Sequence, residues 1–156
     1  MKHKILLVGA GYMAIEYAKV LRAMRLPFVA VGQGEASAKT FKSSTDVDVV
    51  TGGIESWLKI AKLVPKTAII AVPVTELSSV TKKLIKAGVR SVLVEKPGGL
   101  TASEIKSVAQ EANRKKADVF VAYNRHFYAS TQKAMEIIRR DGGVKSFLFE
   151  FTEWNH

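Results

Sequence analysis

Short apolar segments alternate with longer amphipathic segments along most of this sequence. Six short segments are rich in β-branched residues and contain few polar ones, which is typical of parallel strands covered on both faces. The predicted strands span residues 4–8, 28–31, 47–50, 68–72, 91–95 and 119–122. Because helical periodicity fills the segments between them, the alternation predicts a doubly wound α/β domain with a parallel sheet.

The segments between the strands carry clear helical signals. Residues 54–61 place apolar side chains at i, i+3, i+4 and i+7, and residues 77–84 carry a similar stripe. Thr101 and Glu104 have the spacing of a capping box, in which each side chain binds a free amide of the first helical turn. This pair predicts a helix that runs towards Asn113.

The pattern changes near the end of the sequence. A helical segment over 130–141 is followed by two glycines, which suit a left-handed C-cap. The segment 145–154 then alternates, with Phe147, Phe149 and Phe151 on one face. We interpret it as the first strand of a second sheet domain, and an extra edge strand on the first sheet is the alternative.

Composition excludes several classes of protein. The 156 residues are 47% hydrophobic and 24% charged, a globular profile with no apolar run long enough for a membrane span. Cysteine is absent, which excludes disulfides, thiolate metal sites and cysteine nucleophiles. With only three histidines, we expect no metal site. The N-terminal segment reaches glycines too early for a signal peptide, so we expect a cytoplasmic protein with no membrane partner.

The net charge of +10 raises the question of nucleic-acid binding. Basic residues are spread over the polar faces of the predicted helices, and the tightest cluster is 114–116. A nucleic-acid surface normally has a clustered basic stripe. We therefore favour solvated helix faces that attract phosphorylated ligands, and we expect no nucleic-acid partner.

The first predicted strand leads directly into a glycine-rich turn and a helix. Gly9, Gly11 and Ala14 form the pattern G-x-G-x-x-A in this context, which is typical of dinucleotide binding. Gly9 permits the turn, Gly11 lets a pyrophosphate approach the backbone, and Ala14 allows close helix packing. Tyr12 and Met13 complete the predicted cofactor-binding loop, because free amides at a helix N-terminus attract phosphates.

The acidic ribose ligand that usually ends the second strand is missing here. Gln33 occupies this region and can hydrogen-bond a ribose without repelling a 2′-phosphate. Ser37 and Lys39 lie close enough in the sequence to contact such a phosphate. We therefore expect NAD or NADP as the cofactor, with a slight preference for NADP, although Gln33 is equally compatible with a plain turn.

Two later strands also end in residues that suit a cofactor crevice. Pro73 follows the fourth strand. Glu95 ends the fifth strand, and Lys96 and Pro97 follow it. Ligands of such folds bind at these strand ends. A lysine there can donate a hydrogen bond to a substrate oxygen that gains negative charge during hydride transfer. From the residues alone, a surface ion pair between Glu95 and Lys96 and a strand-terminating Pro73 are equally good interpretations.

A polar and aromatic cluster follows the last predicted strand. It contains Asn124, Arg125 and His126 between two tyrosines. Ligand sites often form at junctions of this kind. An isolated histidine is more often structural than catalytic, so His126 alone indicates little.

Three motifs together resemble the Gfo/Idh/MocA family of NAD(P)-dependent oxidoreductases. They are VGAGYMA at 8–14, VEKPGGLTASE at 94–104 and YNRHFYAS at 123–130. In this family a Rossmann domain binds the dinucleotide, and a C-terminal open-faced sheet domain binds the substrate and mediates oligomerisation. The resemblance implies a Rossmann domain over 1–125, then a linker helix and the first strand of a truncated substrate domain over 126–156.

The resemblance also implies roles for single residues. Lys96 would be catalytic and face both nicotinamide and substrate, with Glu95 and Pro97 beside the cofactor and Pro97 in a cis peptide. Asn124 and Arg125 would lie on the substrate side of the active site. Many members carry a histidine after the proline loop where this sequence has a leucine, which weakens the case for substrate contacts there.

The activity implied by the resemblance is hydride transfer between a nicotinamide cofactor and a hydroxyl of a sugar, polyol or nucleotide sugar, in a homo-oligomer. The segments NRHFYAS at 124–130 and FEFTEW at 149–154 also look like those of family members associated with bacterial surface-polysaccharide synthesis. Family members are considerably longer and carry a catalytic histidine in the C-terminal domain, so we expect this chain alone to be inactive. A non-catalytic dinucleotide-binding regulatory module is the alternative.

Overall fold

The computed structural model describes residues 5–148 and residue 150. No helix in this part of the chain is long and apolar enough to cross a membrane. The strands are β1 Ile5–Val8, β2 Phe28–Val31, β3 Val49–Val50, β4 Thr67–Ile70, β5 Ser91–Val94 and β6 Asp118–Val121. The α-helices are α1 Tyr12–Ala23, α2 Glu35–Thr45, α3 Gly53–Ile60, α4 Leu77–Ala87, α5 Ala102–Lys115 and α6 Ala129–Arg140.

All six strands pair in parallel, in the order β3-β2-β1-β4-β5-β6. The central strand β1 pairs Leu7 with Ala30 of β2 on one side and with Ile69 of β4 on the other. The chain moves outwards to β3, returns across β1 and then moves outwards to β6. This order confirms the predicted doubly wound α/β sheet, and the change of direction between β1 and β4 opens a crevice at the carboxyl ends.

Two apolar layers cover the faces of the sheet. Because alternate side chains of a strand point to opposite faces, Leu6 and Val8 join one layer and Leu7 joins the other. Trp57 of α3 belongs to the first layer and Phe41 of α2 to the second. Phe41 is fully buried, and burial of such a side chain stabilises the fold by about 1.5–3 kcal/mol. The layers hold the strand ends around the crevice.

The capping box at the start of α5 is confirmed. Thr101 Oγ1 accepts a hydrogen bond of 3.2 Å from Glu104 N. Glu104 Oε2 accepts one of 2.7 Å from Leu100 N, one residue further upstream than the simplest capping box uses. The strand β3 begins two residues later than predicted: it omits Val47, whose N–H donates to Thr45 Oγ1 at 3.3 Å, and Asp48.

The chain divides into two compact units, Met1–Ala122 and Tyr123–His156. The second unit begins with a 3-10 turn over Asn124–Phe127 and continues into α6. As predicted, a pair of left-handed glycines follows α6: Gly142 and Gly143 have φ angles of +84° and +104°.

The structure assigns no strand to residues 144–148, which overlap the strand predicted over 145–154. Phe147, the first of the three alternating phenylalanines, is 86% exposed. Phe149 and Phe151 lie outside the described residues, so the strand stays a prediction. Within the described residues, the six-stranded sheet of the first unit contains no strand from this segment.

Candidate functional site

A cavity of about 720 Å³ opens at the carboxyl ends of the central strands. The segments that follow β1, β2, β3, β4 and β5 form its walls. The parallel order therefore brings positions that are scattered along the sequence to one edge of the sheet. The predicted cofactor-binding and catalytic residues that line the cavity are Gly9, Gly11, Tyr12, Met13, Gln33, Pro73, Glu95 and Lys96.

Gly9 forms the tight turn after β1. Its φ of +123° lies in the region that favours glycine, and a Cβ there would overlap the carbonyl group of Ala71. Gly9 N–H donates to Val31 O at 2.8 Å, and Ala71 N–H donates to Val8 O at 2.7 Å. Gly9 thus lies where β1, β2 and β4 end together, and this close approach requires glycine.

The first turn of α1 presents free amide groups beside the cavity. Gly11 is the N-cap residue, and no side chain in the described part of the chain caps this helix. A Cβ on Gly11 would meet no protein atom within 4 Å, so the space beside it is open to a ligand. Because Ile15 N donates to Gly11 O at 3.0 Å, the amides of Tyr12 and Met13 precede the first intrahelical bond. This turn fits the pyrophosphate of a dinucleotide.

Ala14 lies on the other side of α1 and does not line the cavity. It is fully buried in the layer that contains Leu7. Its small side chain lets α1 approach the sheet closely, which is the packing role that the sequence pattern predicts.

Gln33 lines the cavity beyond β2, beside the turn that begins α3. Its side-chain oxygen lies against Gly53, where a Cβ would overlap it, and its backbone carbonyl accepts from Gly52 N at 3.2 Å. Ser37 also lines the cavity, whereas Lys39 is exposed on α2 and is not among the lining residues. The structure therefore brings Gln33 and Ser37, but not Lys39, to this end of the cavity.

Sequence reasoning overlooked Glu35, an acidic residue in the first turn of α2. Its carboxylate accepts a hydrogen bond of 2.6 Å from Thr51 Oγ1. The available signal was an acidic residue two positions after Gln33, just beyond the strand end where a ribose ligand is expected. The end of β2 therefore carries no carboxylate, whereas the first turn of α2 carries one.

Glu95, Lys96 and Pro97 form the turn after β5. Glu95 N donates to Ile70 O at 2.9 Å, and Gly98 N donates to Glu95 O at 2.9 Å, which closes the turn. The Lys96–Pro97 peptide is cis, as the resemblance implied. Lys96 is exposed and lines the cavity, whereas Pro97 is exposed outside its lining.

The Glu95 carboxylate binds Tyr17 of α1. Tyr17 Oη donates to Glu95 Oε1 at 2.7 Å. Three effects raise the pKa of Tyr17 well above its usual range. Burial of the phenol is the largest, the hydrogen bond to Glu95 is the second, and the negative charge of Glu95 is the third. Within residues 5–148, no ion pair joins Glu95 to Lys96, so the surface ion pair considered from the sequence does not form.

The loop after β4 contributes Ala71, Val72, Pro73 and Glu76 to the cavity wall. Pro73 lines the cavity and precedes a 3-10 turn over Val74–Glu76. Glu76 lines the cavity as well, and its signal in the sequence was a charged residue just beyond a central strand. Leu77 is only 1% exposed, so the position that carries histidine in many family members is part of the core here.

Asn124 and Arg125, predicted on the substrate side, lie in the second unit. Both are exposed on its first turn. All residues that line the cavity belong to the first unit, so the substrate-side role of this pair stays a prediction. The described residues contain no group of three or more histidine, cysteine, aspartate or glutamate residues that could hold a metal ion.

Comparison with known proteins agrees with this geometry. Residues 3–123 match the family model for Gfo/Idh/MocA oxidoreductases, which is described as an NAD-binding Rossmann fold. No protein of curated function matches the chain.

Solved structures share the fold at low sequence identity. An oxidoreductase from Agrobacterium radiobacter, in complex with NAD+, L-tartaric acid and magnesium, superimposes with a TM-score of 0.76 at 14% identity, covering 91% of this chain and 41% of its own. The WlbA dehydrogenase from Bordetella pertussis, in complex with NADH and UDP-GlcNAcA, gives 0.75 at 17% identity, covering 90% and 42%. Apo scyllo-inositol dehydrogenase from Lactobacillus casei gives 0.73 at 19% identity, covering 90% and 43%.

The chain spans less than half the length of these solved relatives, so it corresponds to one part of each of them. Because the matches cover 90–91% of this chain, the shared part includes its doubly wound sheet. From the family match over residues 3–123, we conclude that the chain belongs to the Gfo/Idh/MocA oxidoreductase family and carries its NAD-binding Rossmann fold.

Proposed function

We propose that the cavity binds NAD(H) or NADP(H), and that Lys96 assists hydride transfer between the nicotinamide and a hydroxyl group of a sugar, polyol or nucleotide sugar. The observation that carries this proposal is the position of Lys96, which lines the same cavity as the glycine turn of residues 9–11. In a cofactor-dependent oxidoreductase, the dinucleotide site must lie next to a group that stabilises charge on the substrate oxygen.

The first turn of α1 holds the pyrophosphate in this proposal. The amides of Tyr12 and Met13 donate to phosphate oxygens, and the open space beside Gly11 admits them. Gln33 and Ser37 line the cavity beyond β2, where an adenosine ribose binds in such folds. Gln33 is a neutral group that both donates and accepts hydrogen bonds, so it is suited to ribose hydroxyls.

Lys96 acts at the reacting end of the cavity. The bound cofactor supplies or accepts the hydride. Lys96 donates a hydrogen bond to the substrate oxygen and balances the negative charge that develops there as the hydroxyl proton leaves. We assign the proton acceptor to no residue of this chain.

The proposed substrate class draws on what the solved relatives bind or act on. UDP-GlcNAcA, L-tartaric acid and scyllo-inositol all carry secondary hydroxyl groups, which is the chemistry that Lys96 can assist. A nucleotide sugar also suits the net charge of +10, because its diphosphate is anionic. We also propose a role in polysaccharide biosynthesis, which rests on the family resemblance of the last motifs.

We propose a slight preference for NADP(H). Gln33 places no carboxylate at the end of β2, and Ser37 lines the cavity beside it. Glu35 is not among the residues that line the cavity, and its carboxylate accepts a hydrogen bond from Thr51 Oγ1. Titration of the chain with NADH and NADPH, followed by nicotinamide fluorescence, tests the preference. Tighter binding of NADH than of NADPH contradicts it, and NADH binding at least tenfold tighter would also exclude tolerance of NADPH.

Substitution of Lys96 tests the catalytic assignment. Lys96→Met should lower kcat about 10²- to 10³-fold, the usual cost of removing a donor that stabilises the transition-state oxyanion. NADH affinity should change less than about threefold, because the backbone amides that are proposed to bind the pyrophosphate are unaffected. Lys59→Gln on the exposed face of α3 is the control for loss of one positive charge.

The kinetic assay uses the full-length gene product, because the chain spans only 41–43% of its solved relatives. UDP-sugars, inositols and hydroxy acids are the substrates to compare. Equal kcat values for the wild type and Lys96→Met would remove Lys96 from catalysis. Cofactor binding without turnover on any of these hydroxyl substrates would instead favour the regulatory module.

Assembly is a prediction that rests on the family resemblance, whereas location and the absence of nucleic-acid and membrane partners are predictions from composition and charge distribution. We propose a homo-oligomer in the cytoplasm with no nucleic-acid or membrane partner. Light scattering of the full-length protein tests the first statement, and a monomer at high concentration would contradict it. Salt-sensitive retention of the chain on immobilised DNA would contradict the expected absence of a nucleic-acid partner.

A further inference from the structure

The hydrogen bond between Tyr17 and Glu95 joins two parts of the proposed site. Tyr17 lies on α1, the helix whose first turn is proposed to bind the pyrophosphate, and Glu95 begins the turn that carries Lys96. The bond is 2.7 Å long and spans 78 residues of sequence. Tyr17 does not line the cavity, and its ring packs against the core layer that contains Leu7. The tyrosine therefore reaches the turn from behind the cavity wall.

Glu95 passes this attachment on to Lys96 through a short network. Its second carboxylate oxygen, Oε2, accepts from Lys96 N at 3.3 Å. Its backbone N–H donates to Ile70 O, and its carbonyl accepts from Gly98 N, each at 2.9 Å. The two backbone bonds anchor the turn to β4 and close it, and the carboxylate holds the peptide unit that precedes the Lys96 side chain.

We propose that Tyr17 is a positioning residue: by donating to Glu95, it ties the Lys96 turn to the cofactor-binding helix and so sets where the Lys96 ammonium lies relative to the bound nicotinamide. This inference rests on the proposed function of Lys96. Tyr17 touches neither cofactor nor substrate in this account and acts only through Glu95.

The chemistry of a half-buried phenol suits this role. A neutral hydroxyl donates one directed hydrogen bond and adds no charge next to the Lys96 ammonium. Because burial and the adjacent carboxylate raise the pKa of Tyr17, the phenol keeps its proton at neutral pH. The hydrogen bond to Glu95 is therefore available at neutral pH.

Amide hydrogen exchange in the chain tests the attachment without any substrate. Tyr17→Phe should speed exchange at Lys96 N–H about tenfold, the factor that corresponds to one net hydrogen bond, because the Glu95 carboxylate is no longer held. Ser107→Ala is the matched control, because it also removes one side-chain hydrogen bond between two elements, the 3.0 Å bond from Lys82 Nζ. Unchanged exchange at Lys96 in Tyr17→Phe, or equal acceleration in Ser107→Ala, overturns the proposal.

Kinetics of the full-length enzyme test the consequence for Lys96. Tyr17→Phe should lower kcat about tenfold, while the KM for the cofactor stays within about twofold. In a Glu95→Ala background, the same substitution should have little further effect, because its route to Lys96 has been removed. Additive losses in the double variant overturn the proposal, as does a loss confined to KM.

The two experiments separate failure of this inference from failure of the proposed function. A wild type without turnover on any hydroxyl substrate contradicts the proposed function, and the exchange measurement still decides whether Tyr17 holds the turn. An active wild type with an equally active Tyr17→Phe variant contradicts only the positioning role.

Discussion

At the residue scale, two glycines of one turn are required for different reasons. Gly9 is required by the protein itself, because its φ is +123° and Ala71 leaves no room for a Cβ. Gly11 has φ −83° and no neighbour within 4 Å of an added Cβ. The protein alone tolerates a side chain at Gly11, and only a ligand in the cavity would exclude it. The pattern G-x-G does not distinguish these two roles, whereas the structure does.

This difference predicts opposite results for two alanine variants. Gly9→Ala should lower the free energy of unfolding by about 1–3 kcal/mol, because it adds a strained φ and an overlap. Gly11→Ala should lower it by less than about 1 kcal/mol, yet weaken NADH binding at least tenfold by filling the space beside the amides. Urea denaturation and NADH titration of both variants measure the two effects. A Gly11→Ala variant that binds NADH like the wild type would mean that no phosphate approaches Gly11.

Tyr17 gives a prediction for stability at high pH. Its pKa is raised in the folded state above the ordinary value of 10.0, so the folded protein favours the protonated phenol. The resulting stabilisation is complete below the pKa of the unfolded chain and is lost as pH rises from there towards the folded pKa. The stability difference between wild type and Tyr17→Phe should therefore shrink between about pH 9 and pH 11.

Urea denaturation at several alkaline pH values measures this difference, and Tyr128→Phe, at an exposed tyrosine, is the control. Comparison with a variant removes the contribution of the many lysines, which titrate in both proteins. A difference that stays constant across this range would show that Tyr17 has no raised pKa in the folded chain.

At the scale of elements, the sequence pattern predicted which strands and helices exist better than it predicted the residues at which they end. Strands predicted to reach residues 72, 95 and 122 end at Ile70, Val94 and Val121. The ladder nevertheless continues one step further, because Glu95 N donates to Ile70 O and Ala122 N donates to Val94 O at 2.9 Å each. Apolar composition indicates which residues are buried, and burial extends past the last paired residue of a strand. It does not indicate the residue at which the backbone leaves the sheet.

The capping box of α5 gives a prediction for a single element. Thr101→Ala removes the acceptor of Glu104 N and should lower the free energy of unfolding by about 0.5–2 kcal/mol. Ser43→Ala is the matched control, because its exposed hydroxyl donates to Thr40 O within α2 and caps no helix. Urea denaturation of the two variants measures the difference. Equal stabilities would show that the Thr101 cap contributes nothing to the fold.

At the scale of the whole molecule, periodicity predicted the fold class, and the motifs lie at the edge of the sheet where the cavity opens. Pairing between distant strands could not be predicted from local pattern. The contact of Gly9 with Ala71 and the bond from Tyr17 to Glu95 both depend on β4 and β5 lying beyond β1 in the sheet. Glu76 was overlooked although its loop was predicted at the crevice, because the sequence does not show which residues of the 3-10 turn line the cavity.

The central claim is that one cavity brings the cofactor and Lys96 together. A crystal structure of the chain with bound NADH tests it most directly. We predict the pyrophosphate at the amides of Tyr12 and Met13, the adenosine ribose at Gln33, and the nicotinamide ring beside Lys96. A nicotinamide on the far side of the cavity from Lys96, or a dinucleotide bound elsewhere on the chain, would contradict the account.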